Sequence, residues 1–119
     1  MDSITIFGRI LMGELPCEKV YENDYVLAFK DSHPEAPVHV LVIPKNTQYA
    51  NYSSFLDSGT DEEIQEFFRA VRYVTKMLKL DRHGYRLVAN TGRDANQMVE
   101  HFHMHIIAGA PLGRSVSSY

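Results

Sequence analysis

The chain has 119 residues, with 12 basic and 15 acidic side chains and a formal net charge of −3 at neutral pH. This length predicts a single domain with a real hydrophobic core, and the charge excludes a general attraction to nucleic acid or to an anionic membrane. Its one cysteine, Cys17, excludes an internal disulfide and a multi-cysteine zinc site. Since the chain shows neither a membrane-length apolar stretch nor a signal-peptide pattern, we expect a soluble, cytoplasmic protein.

The first half of the chain predicts a short helix followed by three strands. The helix has apolar residues at helical spacing, namely Ile6, Phe7, Ile10 and Leu11. Ser3 or Asp2 is its predicted N-cap. Two short strands are predicted at about 18–22 and 25–30, and the β-branched run 38–43 predicts a central strand.

A long helix beginning after Thr60 is the clearest predicted element. Thr60-Asp-Glu-Glu63 is a capping box, in which each end residue's side chain accepts the other's amide. The apolar stripe that follows is wide, with Ile64, Phe67, Phe68, Ala70, Val71, Tyr73, Val74, Met77 and Leu78. A deeply buried helix explains this width, and so does a helix that packs both on its own sheet and on a second subunit.

Two further strands, at about 85–91 and 101–108, complete the predicted fold. The short connection between them favours antiparallel pairing. The fold class is therefore α+β, with one five-stranded antiparallel sheet, a short N-terminal helix and one long helix. We expect the helices to cover one sheet face and a row of histidines to lie on the other.

That row is His101, His103 and His105, which alternate with Phe102, Met104 and Ile106. Alternate residues of a strand share a face, so three imidazoles would lie side by side above an apolar underside. A purely structural role is disfavoured, because Val or Ile in each place would contribute up to about 2–3 kcal/mol of burial.

A metal site is the second interpretation. The α-carbons of His101 and His105 would lie ~13 Å apart along a strand, too far for all three imidazoles to share one ion. Two of the row together with His39 could bind one, but no carboxylate stands at the usual spacing to complete the site.

Phosphoryl chemistry is the third interpretation. A neutral imidazole, with a pKa of ~6.5, is a good nucleophile toward phosphorus. Its neighbours can steady phosphate oxygens or orient the reacting ring. Such a site needs no metal.

The row and several other segments resemble the histidine triad (HIT) superfamily, in its nucleotide-binding (Hint) branch. The triad signature here is His101-Phe-His103-Met-His105-Ile-Ile. The other matching segments are Thr5-Ile-Phe-Gly-Arg-Ile10, Glu14-Leu-Pro16, Ala28-Phe-Lys-Asp31, Pro34-Glu-Ala-Pro37, His39-Val-Leu-Val-Ile-Pro44, Gly84-Tyr-Arg-Leu, Asn90, Gln97 and Pro111-Leu-Gly113. The resemblance predicts a single HIT domain over 1–119, with a matching core at 3–113 and a short tail at 114–119.

The resemblance implies hydrolysis of purine nucleoside phosphoramidates, with no required cofactor and room for adventitious zinc at the histidines. It implies that His103 is the nucleophile and forms a nucleotidyl-histidine intermediate, that His105 binds phosphate oxygens, and that His101 and His39 support them. The implied nucleotide contacts are Asp31 at the ribose, Asn90, Gln97, Met98 and Val99 near the phosphate, and Ile6, Phe7, Ile10, Phe29, Ser32 and Leu41 near the base. A homodimer through the long helix and an adjoining strand is also implied.

Three positions depart from the Hint pattern. Met98 stands where a serine is usual, Asn96 where a glycine is usual, and Ser32 where an apolar residue is usual. Met98 keeps open a different function, that of a nucleotide-binding or scaffold protein whose turnover is incidental. Two more functions stay open, namely that of a dinucleotide polyphosphate hydrolase of a sister branch and that of a zinc protein.

Overall fold

The computed structural model describes residues 4–115, and these form one antiparallel sheet with helices on both faces. The helices are α1 (Ile6–Leu11), α2 (Tyr52–Ser58) and α3 (Asp61–Met77), and the strands are β1 (Lys19–Glu22), β2 (Val26–Lys30), β3 (Val38–Pro44), β4 (Tyr85–Val88) and β5 (Met104–Ala108). Two 3-10 turns lie at Leu80–Arg82 and Arg93–Ala95. The sheet order is β1-β2-β3-β5-β4, which confirms the predicted five-stranded α+β fold.

The register of the three central strands brings residues that are distant in the sequence to one face of the sheet. Phe29 of β2 pairs with Leu41 of β3, and Leu41 in turn pairs with His105 of β5. Cross-strand neighbours point to the same side of a sheet. Phe29, Leu41 and His105 therefore point to the same face of the sheet.

The opposite face carries the main core, under α2 and α3. Phe102, Met104 and Ile106 are buried there with Phe55 and Phe67. The predicted capping box at the start of α3 is present. The Thr60 amide donates to Oε1 of Glu63 and the Glu63 amide donates to Oγ1 of Thr60, both at 3.0 Å. The short helix α2 was not predicted from the sequence, although Asn51 and Ser54 form a second capping box at its start.

Helix α1 corrects the expectation that all helices share one face. Its Phe7 ring packs edge-on against the rings of His101 and His103, on the histidine side of the sheet. The side chain of Thr5 caps the helix by accepting the Gly8 amide at 3.0 Å. The caps expected at Ser3 or Asp2 lie outside the described residues.

The last two strands are shorter than predicted. β4 ends at Val88, and β5 begins only at Met104, so His101 and His103 lie in the segment that precedes the strand. His101 through Met104 are nevertheless buried. The alternation of apolar and histidine sides is kept, because Phe102 and Met104 join the main core whereas His103 contacts Phe7 on the other face.

Much of the α3 stripe remains exposed in the single chain. Exposed fractions are 39% for Phe68, 52% for Tyr73, 42% for Met77 and 37% for Leu78. A helix buried all round would not leave these side chains in solvent. Within residues 4–115, no helix combines the length and apolar character that crossing a membrane requires.

Candidate active site

His101 anchors the start of the histidine segment in the core. Its side chain is 1% exposed, and Nε2 lies 2.9 Å from the main-chain oxygen of Pro44. A carbonyl oxygen only accepts, so Nε2 carries the proton and donates. Burial lowers the pKa of His101, which keeps the ring neutral. His101 therefore serves as a fixed support that ties the segment to the end of β3.

The orientation of His103 suits a nucleophile. Its Nδ1 lies 2.8 Å from the main-chain oxygen of His101 and donates to it. In the neutral ring this leaves Nε2 unprotonated, with a free lone pair. Burial lowers the pKa of His103, so the neutral form prevails at neutral pH. The Phe7 ring, with its centroid 4.9 Å away, holds the imidazole edge-on.

His105 is the most open of the three and contacts His39. The His105 Nδ1 and the His39 Nε2 lie 2.9 Å apart, although the two residues are 66 positions apart in sequence. Burial, together with the neighbouring His103 and His39, lowers the pKa of His105 to about 4. A neutral imidazole at this place can donate one hydrogen bond to a ligand oxygen.

Asp31 joins this pair from the end of β2. Its Oδ2 lies 3.4 Å from His39 Nε2, and its Oδ1 accepts the His33 amide at 2.8 Å. The main chains are tied as well, because the Asp31 amide donates to the His39 carbonyl at 2.9 Å. The carboxylate therefore acts both as a turn former and as a partner of the histidine cluster.

Among the described residues, Asp31, His39 and His105 have ligand atoms within 4.8 Å of one another, as an ion would require. The sequence-based objection that no carboxylate completes a metal site is thus wrong. The hydrogen bonds still suit a metal poorly. His39 Nδ1 accepts the Glu35 amide at 3.1 Å, whereas a neutral imidazole bound to a metal through Nε2 must carry its proton on Nδ1. The N–H of the Glu35 amide and an N–H at His39 Nδ1 would then face each other, which is repulsive.

An apolar cluster lies beside the histidines. Phe7, Phe29 and Leu41 are buried together, and Ile10 and Val99 pack against them. Ile6, also expected at the base, is 52% exposed on α1 and does not belong to this cluster. Ser32 is exposed, and its Oγ lies 3.0 Å from His33 Nδ1.

The loop between β4 and β5 carries the remaining predicted residues. Gln97 was expected to face the phosphate, but its amide nitrogen donates to the Ala50 oxygen at 2.6 Å and to the Val99 oxygen at 2.9 Å. Its Oε1 accepts the Gly92 amide at 2.9 Å. In this structure Gln97 therefore holds the loop in shape.

Asn90, Asn96 and Met98 are the other residues of this loop that the sequence singled out. Asn96, which stands where a glycine is usual, adopts the left-handed conformation with φ 57°, which asparagine tolerates better than most residues. Met98 is 80% exposed. Asn90 is partly buried just after β4. Met98 thus offers an open thioether where the Hint pattern has a hydroxyl.

Three partners of the histidines could not be identified from the sequence, and all are main-chain groups. They are the carbonyls of Pro44 and His101 and the amide of Glu35. A main-chain group has no side-chain signature, so no residue pattern announces it. The position of Glu35 between Pro34 and Pro37, in a segment shared with the Hint branch, was the available signal.

Comparisons with known proteins agree with this geometry. The HIT domain family model matches residues 12–112. An uncharacterized HIT-like protein of Azospirillum brasilense is 45% identical over 98% of this chain and 94% of its own length. The purine nucleoside phosphoramidase of Escherichia coli K12 is 38% identical over 92% of this chain and 90% of its own length.

Solved structures agree as well. A histidine triad protein from Clostridium difficile superposes with a TM-score of 0.82 at 37% identity, over 97% of this chain and 99% of that one. A HIT family hydrolase from Clostridium thermocellum superposes with a TM-score of 0.81 at 34% identity, over 98% of this chain and 100% of that one. With its antiparallel sheet and clustered histidines, the chain belongs to the HIT domain family.

Proposed function

We propose that this HIT-family hydrolase cleaves the P–N bond of purine nucleoside phosphoramidates through a nucleotidyl intermediate on His103. The observation that carries the proposal is the 2.8 Å bond from His103 Nδ1 to the His101 carbonyl, which leaves Nε2 free to attack. The 38% identical relative in Escherichia coli is named for this activity, which supports the choice of reaction.

The reaction proceeds in two displacements at phosphorus. In the first, the Nε2 lone pair of His103 forms a bond to phosphorus, the P–N bond to the amine breaks, and the departing nitrogen takes up a proton from solvent. In the second, water attacks phosphorus, the bond to Nε2 breaks, and the proton lost by water replaces the one consumed. The products are a free amine and a nucleoside monophosphate, and His103 returns to its neutral form.

The placement of the remaining groups supports the proposed nucleotide contacts. The buried cluster of Phe7, Phe29 and Leu41 offers apolar surface for a purine base. Asp31, whose Oδ2 lies 3.4 Å from His39 Nε2, is a carboxylate suited to the ribose hydroxyls. His105 is set to donate to the phosphate oxygens as negative charge develops on them.

We also propose that two copies associate through α3 and β4. Phe68, Tyr73 and Met77 leave apolar surface on α3, and β4 ends the sheet in the described part of the chain with Leu87 exposed. An exposed strand edge beside an apolar helix stripe is a surface that association would cover.

A second candidate is a nucleotide-binding protein whose turnover is incidental. Met98 favours it, because an exposed thioether cannot donate a hydrogen bond to the reacting phosphate as a serine hydroxyl would. This candidate predicts nucleotide binding similar to that of the enzyme but very slow release of the amine.

A fluorescent amine joined to adenosine monophosphate distinguishes the proposed hydrolase from the nucleotide-binding protein. We expect wild type to release the amine at the same rate with and without chelator, and His103→Ala to lose at least about 10³-fold in kcat. His83→Ala, at an exposed histidine between the 3-10 turn at Leu80–Arg82 and β4, is the matched control and should keep the wild-type rate.

Each contrary outcome points to a different function or mechanism. Tight nucleotide binding without amine release supports the second candidate. Loss of activity on chelation supports a metal enzyme, and turnover by His103→Ala contradicts the nucleophile assignment.

A further inference from the structure

His39 has a hydrogen-bonding partner at each ring nitrogen, and one of these partners is a group that can only donate. The main-chain amide of Glu35 lies 3.1 Å from Nδ1 and can only donate. Nδ1 must therefore accept, so it carries no proton. In a neutral imidazole the single proton then resides on Nε2.

The position of the proton on His39 also determines the position of the proton on His105. His39 Nε2 lies 2.9 Å from His105 Nδ1, so the His39 proton is donated to His105. The reverse direction would leave both nitrogens of His39 without a proton, which is an imidazolate anion. His105 Nδ1 is therefore an acceptor, and the proton of the neutral His105 ring lies on Nε2.

We propose that the main-chain amide of Glu35 is a positioning group that sets the tautomers of His39 and His105 and so presents the His105 Nε2–H as a donor to the substrate. The hydrogen bonds run in series from the amide of Glu35 to His39 and from His39 to His105. Each link has a distance of 3.1 Å or less, within the normal range for N–H hydrogen bonds to an acceptor.

The surrounding charges favour the same arrangement. Asp31 Oδ2 lies 3.4 Å from His39 Nε2, and a carboxylate attracts an N–H but repels a lone pair. The start of the loop is also tied to β3, because the Asp31 amide donates to the His39 carbonyl. The Asp31 carboxylate therefore favours the proton of His39 on Nε2.

The consequence for turnover rests on the proposed function. Negative charge grows on the phosphate oxygens as the P–N bond breaks, and a donor fixed in advance stabilises it. In the other tautomer His105 would present a lone pair to those oxygens, which is repulsive. The amide of Glu35 contacts His39 and not His105, yet it thereby determines which ring nitrogen of His105 donates to the substrate.

The tautomers can be measured without any substrate. Long-range ¹H–¹⁵N correlation on protein with ¹⁵N-labelled histidines, at neutral pH, distinguishes protonated from unprotonated ring nitrogens. We expect His39 and His105 both to show the proton on Nε2, in contrast to His103, where it lies on Nδ1. A proton on Nδ1 of His39 overturns the proposal, whether or not the protein hydrolyses phosphoramidates.

Two variants separate the amide from the side chain of Glu35. Glu35→Pro removes the N–H, whereas Glu35→Ala removes only the carboxylate and should keep the wild-type tautomer signals. We expect kcat for Glu35→Pro to be about tenfold below that for Glu35→Ala, the size of one lost hydrogen bond, with a smaller difference in KM.

An amide-to-ester replacement at residue 35, made by semisynthesis, serves if the proline variant fails to fold. It removes the same N–H without constraining the backbone, and the same loss in kcat with mixed tautomers at His39 is expected. Equal kcat in the ester and the wild-type protein, with unchanged tautomer signals, contradicts the proposal. Failure of wild type to release any amine, with the expected tautomers present, contradicts only the proposed function.

Discussion

The hydroxyl of Tyr49 donates a 2.6 Å hydrogen bond to Oε1 of Glu63, and the carbonyl of Tyr49 accepts the amide of Phe102 at 2.8 Å. One buried residue thus joins the first turn of α3 to the segment that carries His101 and His103. The Glu63 carboxylate in turn belongs to the capping box of α3. Helix capping and placement of the histidines are therefore coupled through a single residue, by its hydroxyl on one side and its carbonyl on the other.

Tyr49→Phe should weaken this link and lower the free energy of unfolding by about 1–2 kcal/mol, because Glu63 loses a donor in a partly buried place. Urea denaturation measures the change. Tyr52→Phe, at an exposed tyrosine of α2, is the control and should stay within about 0.5 kcal/mol of wild type. Equal losses in the two variants would show that the Tyr49 hydroxyl has no special role.

The stability of the fold should decrease in acid through Glu63. Burial raises the pKa of this carboxyl, but hydrogen bonds from Thr60, Tyr49 and Asn46 outweigh burial and hold the pKa below its ordinary value. A carboxyl with a depressed pKa in the folded state stabilises the fold above its unfolded pKa of ~4.3, and this contribution is lost as pH falls through the folded value. Urea midpoints between pH 6 and pH 3 should therefore fall more for wild type than for Glu63→Gln; parallel curves would contradict the assignment.

Activity should persist below the ordinary pKa of histidine. Attack requires unprotonated His103, and burial lowers the pKa of His103, so the neutral ring remains available as pH falls. We expect the acid limb of kcat/KM against pH to have its midpoint below ~6.5. A midpoint above that value would show that another group, with a raised pKa, controls the acid limb.

Met98→Ser should test whether the missing hydroxyl limits the rate. A serine at this place can donate to the reacting phosphate, so we expect kcat to rise by up to about tenfold, the size of one hydrogen bond. Stability should change by less than about 0.5 kcal/mol because Met98 is 80% exposed. Met12→Ser, also at an exposed methionine, controls for general effects. A kcat unchanged by Met98→Ser would show that position 98 lies outside the reacting geometry.

Leu87→Lys should disrupt the proposed association of two copies. A charge placed on the apolar edge of β4 would be costly to bury against a second chain, and Lys is a common deterrent on strand edges. Sedimentation velocity should show a dimer for wild type and a smaller species for the variant. Met12→Lys adds the same charge at an exposed site on another part of the surface and should remain dimeric. A monomeric wild type contradicts the proposed interface.

The elements that the sequence predicted well are those with local causes. The capping box at Thr60 and Glu63 depends on side chains three positions apart, and the alternation around His103 depends only on the period of an extended chain. The short helix α2 escaped prediction because only one of its residues, Phe55, is buried, which leaves no apolar stripe to detect.

The sequence by itself determined the sheet, the long helix, the apolar and histidine sides of the last strand and the resemblance to a family. Only the tertiary structure decided how the histidines differ from one another. His39 meets His105 through the register of β3 and β5, Asp31 reaches them from β2, and main-chain groups of Pro44, His101 and Glu35 assign the protons. These contacts join residues far apart in the chain or use backbone atoms that every residue has, so no local pattern in the sequence could encode them.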